Sequence, residues 1–129
     1  WAGVATFKKA YKIFQERGFR SRLLAAAFRN VLQWTEFQGG DVVVSPPFKW
    51  AKLINDSDYQ FEPRMDREVD EHYIEQLRQI PDFNQAYEED GLTVDEFMEF
   101  GPTRKTLRQF LGADADLDAL VREIIVPAP

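Results

Sequence analysis

The sequence predicts an α/β protein with two parallel strands near its start and a mostly helical tail. Helical periodicity and short apolar runs alternate over residues 1–60, which is the pattern of βα units around a parallel sheet. The first apolar run has no polar alternation, as expected of a strand that is buried on both faces. From residue 48 onward the periodicity is helical only. These three features together predict the fold class.

The first half begins with a predicted amphipathic helix, residues 4–17, which ends at Gly18. Its apolar residues recur every three or four positions, at Val4, Phe7, Tyr11 and Phe14. Its lysines are expected to point away from the core, namely Lys8, Lys9 and Lys12. Residues 23–28 are apolar throughout and predict a strand, although the three alanines suit a helix equally well. A helical crossover, 29–40, then leads to the β-branched run 42–45, the clearest strand of the sequence. We expect the two strands to be parallel neighbours.

The second half is predicted to be helical throughout. The predicted helices are, in order, 48–54, 68–79 ending at Pro81, a short helix opened by the capping box Thr93–Glu96, 102–111 with Pro102 first, and a last helix capped by Asp116. We interpret residues 1–129 as part of a single domain, with βα units over about 1–60 and an acidic helical tail over 61–129. A complete α/β domain normally has four or more strands, so we expect the rest of the sheet to lie outside these residues.

The amino-acid composition limits the kinds of catalytic and metal-binding sites that the chain can form. The sequence has no cysteine and only one histidine, which excludes disulfides, thiolate zinc sites, cysteine nucleophiles and sites with two imidazoles. No cofactor and no metal site are predicted. No apolar run reaches the roughly 20 residues of a membrane helix, and no signal sequence opens the chain, so we expect a cytoplasmic protein without membrane contact.

Residues 1–60 carry nine basic and five acidic residues, whereas residues 61–129 carry seven basic and seventeen acidic residues. This asymmetry is compatible with an anionic ligand in the first half and argues against nucleic acid.

Two neighbouring strings resemble the C-terminal part of transaldolases. Leu24–Asn30 (LAAAFRN) is similar to an ASFRN-like segment that ends one strand in that family, and Gly39–Pro46 (GGDVVVSP) is similar to a GxDxxTxxP-like segment that forms the next. The preceding helix and the closing helices fit as well, with an enlarged acidic insertion around 62–100. The resemblance implies a TIM (β/α)₈ barrel, of which this chain would supply the last two strands and the C-terminal helices.

The resemblance also implies an activity. Transaldolases transfer a three-carbon dihydroxyacetone unit between sugar phosphates through a lysine Schiff base, a reaction of the pentose phosphate pathway. The lysine and its acid/base carboxylates lie on earlier strands of the family's barrel, so no catalytic residue is expected in this chain. A further polypeptide, or another part of the same gene product, would hold them. The alternatives are a non-catalytic helical interaction domain and a transaldolase relative that acts in a specialised sugar pathway.

Arg29 is the one residue that matches a functional position of the family, the arginine that binds the substrate phosphate. It is predicted to follow a strand directly and to precede a helix, where phosphate sites are favoured, and a guanidinium can bind phosphate with two hydrogen bonds. The alternative role is a surface ion pair with Glu36 or Asp41. Ala27 departs from the family pattern, which has a phosphate-binding serine at that position.

Other residues could carry chemistry but have simpler interpretations. A Schiff-base role is conceivable for Lys49 and Lys52, but we interpret both as surface residues. Cation binding is conceivable for Asp66 with Asp70 and for Glu88–Asp90, but we interpret these groups as solvated faces. We interpret His72 as an exposed and inert histidine, and Trp34 and Trp50 as core residues.

Overall fold

Helix α1 (Ala2–Arg17) opens the chain in the computed structural model, which describes residues 1–127. The prediction for this helix and for its end at Gly18 is confirmed. Gly18 has the left-handed conformation, with φ 62° and ψ 38°, which glycine adopts without steric cost. Its N–H donates to the Gln15 carbonyl, the Phe19 N–H donates to the Phe14 carbonyl, and the two phenylalanine rings meet edge to face. These contacts make up a Schellman motif.

The strands pair in parallel, as predicted. β1 (Leu24–Ala25) lies beside β2 (Val43–Val44), with Leu24 opposite Val43 and Ala25 opposite Val44. The predicted runs of six and four residues are therefore too long, because a strand extends only as far as a neighbour offers backbone partners. The crossover between them is helical only at α2 (Leu32–Thr35). The α/β fold class, mostly helical with a two-stranded parallel sheet, is confirmed.

Three short helices follow β2 within the first unit, Trp1–Tyr87. They are α3 (Phe48–Asn55), α4 (Glu71–Leu77) and α5 (Pro81–Tyr87). The predicted helix 68–79 corresponds to α4 and ends before Pro81, as predicted, whereas the helix that begins at Pro81 was not predicted. Proline is favoured in the first helical turn, where its missing N–H would have no partner.

The core of this unit lies on two sides of α1. Val4 packs with Ala25, Phe37 and Met65, whereas Ala5 packs with Ile74 and Phe83. One side therefore joins α1 to β1 and the crossover, and the other joins it to α4 and α5. Gly39 lets the crossover approach residue 63 closely, since a Cβ there would lie 2.7 Å from the Pro63 Cβ.

The second unit, Glu88–Pro129, contains a 3₁₀ helix (Asp95–Met98) and one long helix, α6 (Gly101–Ile125). The side chain of Glu96 accepts hydrogen bonds from the N–H and the hydroxyl of Thr93. The bond from the N–H is one of the two hydrogen bonds of the predicted capping box. The prediction of two separate helices after Pro102 is wrong. Asp116 lies inside α6, and Gly112 does not interrupt it, because a glycine costs a helix only about 1 kcal/mol. No helix within residues 1–127 is long and apolar enough to cross a membrane.

Candidate functional site

The loop between β1 and α2, residues 26–31, carries Arg29 on its surface. Arg29 lies four residues beyond Ala25, the last residue of β1, and the next helix begins at Leu32. Within residues 1–127 its guanidinium forms no ion pair, and its Nη1 donates a hydrogen bond to the carbonyl oxygen of Phe28 at 3.3 Å. The side chain is thus exposed, charged and available to an anion.

Gln33 holds the backbone of this loop. Its Oε1 accepts hydrogen bonds from the N–H groups of both Arg29 and Asn30, each at 2.8 Å. The Asn30 Oδ1 in turn accepts from the N–H of Leu32 at 2.9 Å, which satisfies a donor at the start of α2. This role of Gln33 was not predicted, although an amide side chain three and four residues beyond two loop residues is a recognisable capping signal.

The two carboxylates that offered an alternative role for Arg29 have other partners. Glu36 lies 2.9 Å from the Nζ of Lys8 and 3.3 Å from the Nη1 of Arg64, and Asp41 lies 2.7 Å from the Nη2 of Arg22. Neither forms the surface ion pair with Arg29 that the alternative required.

The expectation that Lys8 points away from the core is wrong. Its side chain is 8% exposed, and its Nζ donates to Glu36 and to the carbonyl oxygens of Arg64 and Arg67, both at 2.8 Å. All three ammonium protons therefore have acceptors, which fixes Lys8 as a structural residue. The cause is the packing of segment 62–67 against α1, which periodicity within the helix cannot reveal.

Segment 62–67 is held by a chain of charges beside this buried pair. Glu62 forms ion pairs with Arg64, at 2.6 Å, and with Arg67. Hydrogen bonds from the two guanidinium groups hold the pKa of Glu62 below its usual value. The same pairing, together with Glu36, raises the pKa of Arg64.

Ala27 is exposed in the same loop and brings no hydrogen-bond donor from its side chain. The Phe28 side chain next to it is buried and lies near Trp50, with ring centroids 6.5 Å apart. The loop therefore has an apolar anchor at Phe28, between an exposed methyl group and an exposed guanidinium.

The remaining candidate residues do not form sites in the described part of the chain. Lys49 is exposed, and Lys52 pairs with Asp56 at 2.8 Å on the surface of α3, so neither has the buried setting of a Schiff-base lysine. No group of three or more metal-ligating side chains occurs among residues 1–127, including the acidic pairs named above.

His72 is exposed, as predicted, and contributes to a helix cap. Asp70 accepts hydrogen bonds from the backbone N–H of His72 at 3.0 Å and from the His72 ring at 3.1 Å. Both hydrogen bonds lower the pKa of Asp70, and the bond from the backbone N–H has the larger effect. Trp34 and Trp50 are half-buried.

A groove of about 650 Å³ lies along α1, between that helix and residues 65–74. Its walls carry charges of both signs, including Lys12 and Glu68. It is formed by elements other than the loop of Arg29, and its mixed charge defines no ligand class.

Comparison with known proteins places the chain beside one enzyme family. It is 30% identical over 108 residues to a transaldolase of Prochlorococcus marinus strain MIT 9312, which covers 67% of this chain and 32% of that protein. It is 26% identical over 98 residues to a transaldolase of Prochlorococcus marinus subsp. pastoris strain CCMP1986, which covers 75% of this chain and 29% of that protein. The chain thus resembles the transaldolase family, a family of transferases, as its sequence motifs indicate.

The chain spans about a third of the length of the curated relatives it matches. No protein-family model matches it, and no solved structure matches it significantly.

Proposed function

We propose that this chain is part of a transaldolase-like transferase that moves a dihydroxyacetone unit between sugar phosphates. In this proposal Arg29 binds the substrate phosphate, and the Schiff-base lysine lies on another part of the protein or on a further polypeptide. The reaction belongs to carbohydrate metabolism of the pentose phosphate type, in the cytoplasm, and needs no cofactor. The similarity to transaldolases over most of the chain supports the reaction class.

The single observation that carries the phosphate role is the state of Arg29. Its guanidinium is exposed in the loop that follows a parallel strand, and within the described residues it forms no ion pair, while Glu36 and Asp41 are paired with Lys8, Arg64 and Arg22. A permanently charged group held without a counter-ion is suited to binding a dianion.

The two-stranded sheet supports completion of a barrel by residues outside this chain. Leu24 is 56% exposed and Val43 is 39% exposed, although both are apolar strand residues. Each strand pairs with only one neighbour in the described part of the chain, which leaves backbone donors and acceptors for further strands. Such strands would cover apolar surface and satisfy those groups together. A cooperatively unfolding monomer of only these residues would contradict this part of the proposal.

Steady-state kinetics of the complete enzyme test the role of Arg29. Arg29→Ala removes a charge-assisted hydrogen bond of roughly 1.5–3 kcal/mol, which corresponds to a loss of about 10- to 150-fold. The loss should appear as a raised KM for phosphorylated substrates, because a remote phosphate is bound equally in the ground and transition states. Lysine at position 29 should restore the activity in part, since it keeps the charge but not the planar fork.

Arg20→Ala is the matched control, because Arg20 is also exposed and precedes β1 instead of following it. It should leave KM unchanged. Equal loss of activity in Arg29→Ala toward a sugar phosphate and its unphosphorylated counterpart would refute the phosphate role.

Ala27 bears on which sugar phosphate is used. The family's serine would add a hydroxyl donor to the phosphate site. If the rest of that site is intact, Ala27→Ser should lower KM or leave it unchanged. A raised KM would favour the alternative, a relative that acts on a different sugar.

A further inference from the structure

The two parallel strands end side by side, at one edge of the sheet. The register pairs Ala25 with Val44, and the N–H of Ser45 donates to the carbonyl oxygen of Ala25 at 2.9 Å. One further step of the same register puts Ser45 beside Ala26, about 4.8 Å away across the sheet. Ser45 therefore lies at the edge where the loop of Arg29 begins.

Alternation along the strands turns the Ser45 side chain toward the open face of the sheet. Ala25 is buried against Val4 of α1, so the helices cover the face to which it points. Leu24 and Val43 point to the opposite face and are 56% and 39% exposed. Ser45 lies two residues beyond Val43, on the same face, and is exposed as well. Within residues 1–127 its hydroxyl group has no hydrogen-bond partner.

The segments that follow the two strands contact each other. The chain turns directly after β1, where the N–H of Phe28 donates to the carbonyl oxygen of Ala26 at 3.1 Å. The buried ring of Phe28 lies near Trp50 of α3, with ring centroids 6.5 Å apart. Helix α3 itself begins three residues after Ser45. This contact holds the loop that carries Arg29 close to the end of β2.

We propose that the Ser45 hydroxyl group is a second donor to the substrate phosphate, together with the guanidinium of Arg29. This inference rests on the proposed function. Ligands of parallel α/β sheets bind beyond the carboxyl ends of the strands, and both groups follow such ends. The hydroxyl group donates its proton to one phosphate oxygen, while the guanidinium donates to the others and neutralises their charge. Ser45 is thus a binding residue and takes no part in the transfer of the three-carbon unit.

Steady-state kinetics of Ser45→Ala in the complete enzyme test this role. One hydrogen bond to a charged acceptor is lost, so KM for a sugar phosphate should rise about 10-fold with kcat unchanged. KM for the unphosphorylated counterpart should stay the same. Ser21→Ala is the matched control, because Ser21 is also exposed but precedes β1, at the opposite end of that strand. It should leave both KM values unchanged.

A relocated hydroxyl group gives a second test, which a merely structural role of Ser45 would not satisfy. Ala26 is exposed beside Ser45, so Ala26→Ser in the Ser45→Ala chain should bring KM for the sugar phosphate back toward its original value. A Ser45→Ala enzyme whose two KM values stay the same, or rise equally, would overturn the inference. If Arg29→Ala still raises KM in that assay, the proposed function stands. Arg29→Ala without effect on KM for the sugar phosphate would instead refute the proposed phosphate role and this inference together.

Discussion

Replacing the buried lysine of α1 should destabilise the protein strongly. Lys8→Met keeps the length of the side chain but leaves Glu36, whose side chain is 9% exposed, without its closest cation. Removal of one partner from a buried ion pair costs about 3–5 kcal/mol. We expect the lower end, about 3 kcal/mol, because Arg64 still lies 3.3 Å from the other oxygen of Glu36. The partly buried carbonyl groups of Arg64 and Arg67 also lose their donor.

Urea unfolding followed by circular dichroism measures this loss. The measurement is made on the complete protein and gives the loss as a change in the free energy of unfolding. Lys12→Met is the control, because Lys12 lies one turn further along the same helix, is 68% exposed and is 3.9 Å from its partner Glu68. Its effect should stay below about 0.5 kcal/mol. A Lys8→Met variant within 1 kcal/mol of the parent chain would refute the argument that this pair holds segment 62–67 on α1.

Three smaller perturbations follow from the structure. Gly18→Ala should cost about 1 kcal/mol in urea unfolding, because alanine is strained at φ 62°, whereas Gly3→Ala in the first turn of α1 should stabilise by about 0.4–1 kcal/mol, because alanine fits the helical backbone there; equal signs would contradict this. Asp70→Ala should lower Tm at pH 7, and this effect should shrink as the pH falls below about 4. The lowered folded-state pKa of Asp70 means that its contribution is complete above its unfolded-state pKa and is lost as the pH falls through the folded-state pKa; a difference in Tm that does not shrink as the pH is lowered from about 5 to about 2 would refute it. Gln33→Ala should raise KM for a phosphorylated substrate without changing kcat, since the N–H groups of Arg29 and Asn30 lose their shared acceptor; an altered kcat would exclude a positioning role.

The parallel strand pair was predictable because both strands are short apolar runs between helical segments. Their lengths were not, since the extent of a strand depends on its neighbours and not on its own composition. The end of α1 was predictable for a local reason: Gly18 supplies a left-handed conformation that few other residues adopt.

Errors arose where one residue type has two structural uses. Pro81 can end a helix or begin one, and its sequence neighbours do not decide between them. Asp116 is a good N-cap residue, yet it lies inside a continuous helix because no proline separates the two halves of α6. Lys8 was misplaced because its acceptors lie 28 to 59 residues away in the sequence.

The position of Arg29 was readable from motif and spacing, but the means of holding its loop was not. The crossover that follows Arg29 is fixed at its start by Gln33 and further along by Glu36, which Lys8 binds from α1. The carbonyl groups that share Lys8 belong to segment 62–67, at the start of the acidic insertion that the sequence predicts around 62–100. Segment 62–67 therefore stabilises the region that carries the proposed phosphate ligand. Substitutions there should act on Arg29 through the stability of the crossover, without contact with the substrate.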